Sequence, residues 1–159
     1  MDAVPYTAPD APAEETIRRS GLRVTDSRRA VYEALQRAPH ATADLVFAAV
    51  RETVPGTSLQ SVYNALGDFA DAGLVRRIEP AGHPGMFELR VDDNHHHLIC
   101  TGCGAVEDVD CTVGHAPCLT PSDAHGFAVA TAEVTFWGLC PVCRAAATAS
   151  SPSSPSTAP

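Results

Sequence analysis

Several features are missing from the sequence, and each absence is informative. It has no lysine, so all eleven basic residues are arginine, which we attribute to genomic composition bias. It has no run of about 20 apolar residues, the length that crosses a bilayer, and its mean hydropathy is −0.03. No basic segment followed by an apolar stretch stands at the N-terminus, so no export signal is predicted. These absences exclude a membrane protein and favour a reducing, cytoplasmic location for the cysteines.

Basic residues are scarce in the second half of the chain. Residues 81–145 contain two arginines and eight acidic residues, a net charge of −6. Residues 16–80 have a net charge of +2, although the whole chain carries −8. A basic first half and an acidic second half are consistent with one half facing phosphate and the other binding cations.

Six cysteines are present, and four of them form two Cys-x-x-Cys pairs. Two such pairs can place four thiolates around one tetrahedral zinc ion. Gly102, Gly104 and Pro141 supply the turns that this geometry needs. Disulfides are the alternative, but repeated pairs without a secretory context favour a metal. The predicted structural zinc ligands are Cys100, Cys103, Cys140 and Cys143.

The first half of the chain has the pattern of three helices followed by a two-stranded wing. Thr25, Thr42 and Ser58 are suited to cap helices that end near residues 37, 53 and 72, after a short helix at 15–20. Strands at 74–79 and 86–90 flank a turn rich in glycine. This order is typical of a winged helix-turn-helix, whose last helix enters the major groove of DNA. A small helical domain with a solvated polar face is the alternative.

The second half is mixed, with predicted strands at residues 97–100, 106–110 and 128–139. The composition predicts disordered tails at residues 1–14 and 146–159. We therefore predict an α+β protein with a winged-helix domain at 15–90 and a small α/β domain at 91–145 that contains the four-cysteine zinc site.

These motifs resemble those of the Fur-type metalloregulators over about residues 15–145. The opening Gly21, Arg23, Thr25 and Arg28 match a Gly-x-Arg-x-Thr element, and the helix from Ser58 to Leu66 resembles the recognition helix. His40, Glu88, the histidines at 95–97 and both cysteine pairs also fall at family spacing. The chain is most similar to the peroxide-responsive repressors of catalase-peroxidase genes.

The resemblance implies a cytoplasmic, homodimeric repressor that binds an inverted-repeat DNA operator, and no enzymatic activity. It assigns a regulatory Fe²⁺ or Mn²⁺ ion to His40, Glu88, His95, His97 and Asp108. The donor types agree, because imidazoles and carboxylates without thiolates suit Fe(II), Mn(II) or Zn(II). His95 and His97 share one face if they lie on a strand. With His40 in the helical domain and Glu88 in the hinge after the wing, metal binding would close the hinge.

For DNA, we expect Tyr63 to reach base edges and its neighbours Gln60, Ser61 and Asn64 to reach bases or phosphates. Arg23 and Arg28 are expected to reach phosphate or the minor groove. A partly buried Tyr63 is the alternative.

Asp108 bears on the signal, because in this family peroxide sensors tend to have Asp at this position and iron sensors tend to have Glu. Its neighbour Glu107 competes for the assignment, but the spacing from Cys100 favours Asp108. We therefore favour a peroxide sensor that acts by iron-catalysed histidine oxidation. An iron-level regulator is the alternative, and a zinc-ribbon enzyme is a distant one because no His-Glu-x-x-His motif is present.

Several residues stay outside these assignments. His96 should point away from its neighbours, with solvent exposure as the plain interpretation and an auxiliary metal site with His115 or His125 as the alternative. Cys111 and Cys118 are expected to be packed thiols, or otherwise a redox pair or auxiliary ligands.

Overall fold

The computed structural model describes residues 11–89, 91, 95–110, 121–129 and 133–149. The chain divides into two compact units, residues 1–93 and residues 94–159. Among the described residues, no helix is long and apolar enough to cross a membrane.

The described part of the first unit contains four helices, each beginning close to its expected start. Thr25, Thr42 and Ser58 accept hydrogen bonds from the backbone N–H three residues ahead, as expected of N-caps. The first helix begins at Ala13, inside the segment that the composition assigned to a tail. The helices are α1 (Ala13–Arg19), α2 (Asp26–Arg37), α3 (Ala43–Thr53) and α4 (Leu59–Asp71).

The hairpin after α4 is confirmed, and a third strand joins it. Strands β2 (Arg76–Ile78) and β3 (Met86–Glu88) pair antiparallel. A two-residue strand, β1 (Ala41–Thr42), pairs with the other edge of β3. The sheet order is β1-β3-β2, so β3 is central. Two residues carry too little periodicity to be recognised as a strand from sequence.

The core of the first unit forms where the three long helices meet. Val31, Leu35, Val62 and Phe69 are at most 1% exposed, and Tyr32 packs edge-to-face on Phe69 with ring centroids 6.0 Å apart. Burying this stripe of α4 turns its polar side outward. The predicted winged-helix arrangement within an α+β fold is thus confirmed.

The second unit is a three-stranded sheet with a helix at its end. The elements are β4 (His95–Cys100), β5 (Val106–Asp110), β6 (Thr135–Gly138) and α5 (Pro141–Ala149). The sheet order is β5-β4-β6, with β4 antiparallel to β5 and parallel to β6.

Three expectations for this unit need correction. Strand β4 begins at His95 rather than at residue 97, and β6 covers only four of the residues assigned to a strand at 128–139. Helix α5 continues through residues 146–149, which the composition placed in a tail. The alanines here favour a helix once Cys140 and Pro141 start it, because alanine has the highest helix propensity.

Candidate metal centres and nucleic-acid interface

The four predicted zinc ligands lie together in the second unit. Their sulfur atoms all lie within 4.8 Å of one another, and Cys103 Sγ is 3.8 Å from Cys140 Sγ. Four sulfurs at about 2.3 Å from one zinc ion would be about 3.8 Å apart. The cluster therefore fits a tetrahedral metal ion that joins the end of β4 to the start of α5.

The backbone around the thiols is arranged for thiolate ligands. The N–H of Cys140 donates to Cys100 Sγ at 3.3 Å. This hydrogen bond, with further N–H donors from Cys103 and Gly102, lowers the pKa of Cys100 to about 6. The thiols of Cys140, Cys103 and Cys100 raise the pKa of Cys143 to about 12. One thiolate thus forms easily, whereas closing the site must displace a proton from Cys143.

Gly102 makes the close approach of the two pairs possible. A Cβ atom at this position would lie 3.0 Å from Cys143 Sγ and 3.3 Å from Leu139 Cδ2. Contacts this short require the neighbours to shift. Gly104 has a φ of 75°, so it supplies the left-handed turn that returns the chain toward β5.

Within the first unit, His40 and Glu88 are in contact. His40 Nε2 lies 3.0 Å from Glu88 Oε2, and the Glu88 side chain is 1% exposed. Glu88 is the last residue of β3 and belongs to the wing itself, which corrects its expected place in the hinge after the wing. The pairing of β1 with β3 explains the contact, because it fixes the residue before Ala41 beside Glu88.

The backbone at His40 has an unusual conformation, with a φ of 61°. Non-glycine residues seldom adopt a left-handed conformation, and such strain concentrates at functional sites. The conformation ends the loop after α2 and turns the imidazole toward Glu88.

In the second unit, His95, His97 and Asp108 form a donor group. The two Nε2 atoms lie 3.2 Å apart, and Asp108 Oδ1 is 3.7 Å from His95 Nε2 and 3.6 Å from His97 Nε2. Donors at right angles around an ion with bonds of about 2.1 Å would be about 3 Å apart. The donor chemistry and spacing suit a divalent ion.

The strand register distinguishes Asp108 from its acidic neighbours. Asp108 pairs with His97, whereas Glu107 pairs with Leu98 on the opposite face and is exposed. Asp110 pairs with His95 but is exposed at the end of β5. Asp108 is therefore the carboxylate whose measured distances place it beside both histidines.

His96 is on the opposite face of β4, as alternation requires, but it is not exposed to solvent. It is 9% exposed and packs edge-to-face on Phe136 with ring centroids 6.0 Å apart. The plain interpretation of a solvent-exposed histidine is therefore wrong. His125 is exposed and pairs with Asp123 at 3.3 Å. Cys111, His115 and Cys118 lie outside the described residues, so the predictions for them stay predictions.

The outer side of α4 carries the residues expected to contact DNA. Tyr63 is 48% exposed, against the alternative of a partly buried tyrosine. Gln60 donates to Asn64 at 2.9 Å, and the Ser61 and Ser58 hydroxyls are 2.9 Å apart. Gln60, Ser61 and Asn64 are also exposed, so the four side chains form one uncharged surface.

The two arginines near α2 differ in their surroundings. Arg23 is exposed. The Arg28 guanidinium donates to Asp68 on α4 and to the Arg23 carbonyl at 2.8 Å, and its side chain is 23% exposed. Arg28 therefore joins α2 to α4, which does not match its expected contact with phosphate.

Sequence reasoning missed two wing arginines. Arg77 is 58% exposed and lines a groove of about 280 Å³ that Tyr63, Pro84 and Gly85 also line. Arg76 Nε lies 3.5 Å from Glu88 Oε1. The available signal was the alternation of β2, which turns Arg76 and Arg77 to opposite faces.

Comparison with known proteins gives a consistent result. The model of the "Ferric uptake regulator family" matches residues 19–137. The chain is 52% identical to "Transcriptional regulator FurA" of Mycobacterium tuberculosis over 129 residues, covering 81% of this chain and 88% of that protein. It is 33% identical to the "Peroxide operon regulator" of Bacillus subtilis, covering 82% and 90%. The crystal structure of the Vibrio cholerae ferric uptake regulator has a TM-score of 0.61 at 25% identity, covering 80% and 98%.

The tight packing around Gly102 leads to a test of the thiol cluster. Gly102→Ala should weaken Zn(II) binding about 5- to 150-fold, since overpacking costs about 1–3 kcal/mol. Gly138→Ala is the matched control, because a Cβ atom there meets nothing within 4 Å. Affinities would be measured by competition with a chromophoric chelator. Equal zinc affinity in Gly102→Ala and wild type would contradict this interpretation.

Proposed function

Because the chain belongs to the ferric uptake regulator family, we propose that it is a metal-dependent, DNA-binding repressor that senses peroxide. A transcriptional regulator of this family is not an enzyme, so the zinc-ribbon enzyme is set aside. The observation that carries the proposal is the group of His95, His97 and Asp108, three convergent donors beside a separate thiol cluster.

The thiol cluster is the structural zinc site of this proposal. Four thiolates fill a tetrahedral zinc, so no coordination position remains for catalysis. The ion ties β4 to α5 and stabilises the parallel pairing of β4 with β6. Structural zinc contributes about 10–16 kcal/mol in small peptides, which exceeds the net stability of many domains.

A second copy of the chain is the proposed partner of the second unit. Its exposed apolar side chains are too many for a lone small sheet: Leu98, Phe127, Val129, Phe136, Trp137, Leu139 and Val142 are 43–79% exposed. An exposed apolar surface of this kind marks an interaction site. The homodimer would present two winged helices, which matches an inverted-repeat DNA operator.

The regulatory ion is proposed to take donors from both units. His40 and Glu88 supply two donors and the group of His95, His97 and Asp108 supplies three, so either group alone would leave a five- or six-coordinate ion incomplete. Fe(II) and Mn(II) suit this donor set. Joining the two groups through one ion would favour a single arrangement of the units, and so the DNA-binding form.

DNA recognition is assigned to the outer side of α4. This side presents a ring, hydroxyls and amides that can contact bases, from Tyr63, Gln60, Ser61 and Asn64. Helix α4 has no acidic residue in its first turn and no basic residue in its last turn. Arg23 and Arg77 are the exposed cations proposed to contact phosphate.

Peroxide sensing is proposed from the position of Asp108. Bound Fe(II) supplies one-electron reactivity toward peroxide. The imidazoles of His95 and His97 lie within 3.7 Å of the Asp108 carboxylate. Either imidazole would take up one oxygen atom of hydrogen peroxide, and the other oxygen of the peroxide would leave as water. An oxidised imidazole is a poorer metal donor. Loss of this donor would open the regulatory site, and the protein would leave its DNA-binding form.

An iron-level regulator is the second candidate, and the names of the relatives support it. The matching family is named for ferric uptake, and the chain is more similar to FurA than to the peroxide operon regulator. In that case Fe(II) acts by occupancy alone and the histidines stay unmodified. A cytoplasmic location remains a prediction under both candidates.

The structural zinc leads to a prediction about assembly. Cys143→Ser should lose zinc and the dimer together, because removing one thiolate opens the tetrahedral site and releases α5. Zinc content and sedimentation would be measured on the same sample. A stable dimer without zinc would show that the thiol cluster does not hold the interface.

The exposed ring of Tyr63 leads to a prediction about DNA. Tyr63→Ala should lose about 1–3 kcal/mol of preference for operator over random DNA, while metal binding stays as in wild type. Both DNAs must be compared at one salt concentration, because phosphate contacts make affinity depend on salt. Unchanged preference would mean that α4 does not read the operator through Tyr63.

The peroxide mechanism is tested by comparing two metals. The Fe(II) protein should leave operator DNA on treatment with low peroxide, and mass spectrometry should find one added oxygen on a peptide that contains His40, His95 or His97. The Mn(II) protein is the control and should stay bound and unmodified. If the Fe(II) protein stays bound with intact histidines, the iron-level candidate replaces this one, and a Cys111–Cys118 disulfide would identify a thiol sensor instead.

A further inference from the structure

An arginine, a glutamate and a histidine lie in one row across the sheet of the first unit. Arg76 on β2 is directly opposite Glu88 on β3, and side chains that are opposite in an antiparallel pair share a face. His40 stands one residue before β1, whose first residue pairs with Phe87 on the other edge of β3. Glu88 therefore has a cationic neighbour on one side and an imidazole on the other.

The two oxygens of Glu88 face different members of this row. Oε1 lies 3.5 Å from Arg76 Nε, and Oε2 lies 3.0 Å from His40 Nε2. The carboxylate is 1% exposed and the Arg76 side chain is 24% exposed. An arginine guanidinium stays charged at any pH a protein tolerates and is planar, so it restricts the rotation of a carboxylate beside it.

We propose that Arg76 is a positioning residue that holds Oε1 of Glu88 and leaves Oε2 as the one atom this carboxylate offers to the regulatory metal. The inference rests on the proposed function, since it needs His40 and Glu88 to be metal ligands. It adds a residue outside the ligand set that determines how Glu88 coordinates.

Arg76 could act on a nearby cation in two opposite ways. If its ion pair fixes the orientation of Glu88, removing it weakens metal binding, as loss of a partner that orients a ligand does. If its positive charge only repels the ion, removing it strengthens binding. The sign of the affinity change therefore separates positioning from repulsion.

The experiment uses the full chain with zinc already in the thiol cluster, and adds Mn(II) or Co(II). Arg76→Met should bind Mn(II) about tenfold more weakly than wild type. Its Co(II) absorption spectrum should change, because Glu88 becomes free to coordinate through both oxygens. Arg19→Met is the matched control: Arg19 lies on α1, is 74% exposed and pairs with Glu15, so the affinity and spectrum of this variant should equal those of wild type.

Arg76→Lys keeps the charge if Arg76→Met does not fold. Lysine is a point charge without the planar group, so its Mn(II) affinity should fall between those of wild type and Arg76→Met, with an altered Co(II) spectrum. Wild-type affinity and spectrum in either variant, or tighter binding, would overturn the proposal. Failure of the proposed function is distinct, because the wild-type protein itself would then bind no Mn(II) or Co(II) beyond the thiol cluster.

Discussion

The closing of four thiols into one cluster is the constraint on which the second unit depends. Among its described residues, the buried side chains are His95, His96, His97, Ile99 and Cys100. Strand β6 is exposed along its whole length and α5 buries no residue. So little apolar burial contributes only a few kcal/mol, since fully burying one aliphatic side chain contributes about 1.5–3 kcal/mol. The proposed zinc ion and the proposed second copy of the chain would each add stability to this unit.

The same cluster sets the position of the histidines. It fixes the end of β4 at Cys100, and the alternation of side chains along the strand then turns His95 and His97 to one face and His96 to the other. Pairing with β5 brings Asp108 opposite His97. A shift of one residue in this register would replace Asp108 by Glu107 or Val109, so strand pairing determines the carboxylate at the site.

Part of the charge in the first unit is used inside the fold. Arg28 joins α2 to α4 through Asp68, and Arg76 faces Glu88. Part of the positive charge of this half is therefore engaged within the fold rather than exposed for contact with DNA. The exposed surface formed by Gln60, Ser61, Tyr63 and Asn64 on α4 is uncharged, which agrees with the proposed readout of bases by α4 and the proposed contact with phosphate by Arg23 and Arg77.

The sequence by itself determined the starts of α2, α3 and α4, the hairpin and the thiol pairs, whereas the regulatory ligands were assigned by the family resemblance. The helix starts and the thiol pairs depend on local chemistry. The side chains of Thr25, Thr42 and Ser58 cap helices by accepting hydrogen bonds from backbone N–H groups three residues ahead, and Cys-x-x-Cys spacing places two thiols on one turn. Only the tertiary structure decided that His40 lies beside Glu88 and that Arg28 and Arg76 are engaged within the fold. The contact of His40 with Glu88 depends on β1, a strand of two residues. The paired residues are 12 positions apart for Arg76 and Glu88, 40 for Arg28 and Asp68, and 48 for His40 and Glu88. Partners so far apart leave no periodicity in the sequence, because their meeting is set by sheet order and helix packing.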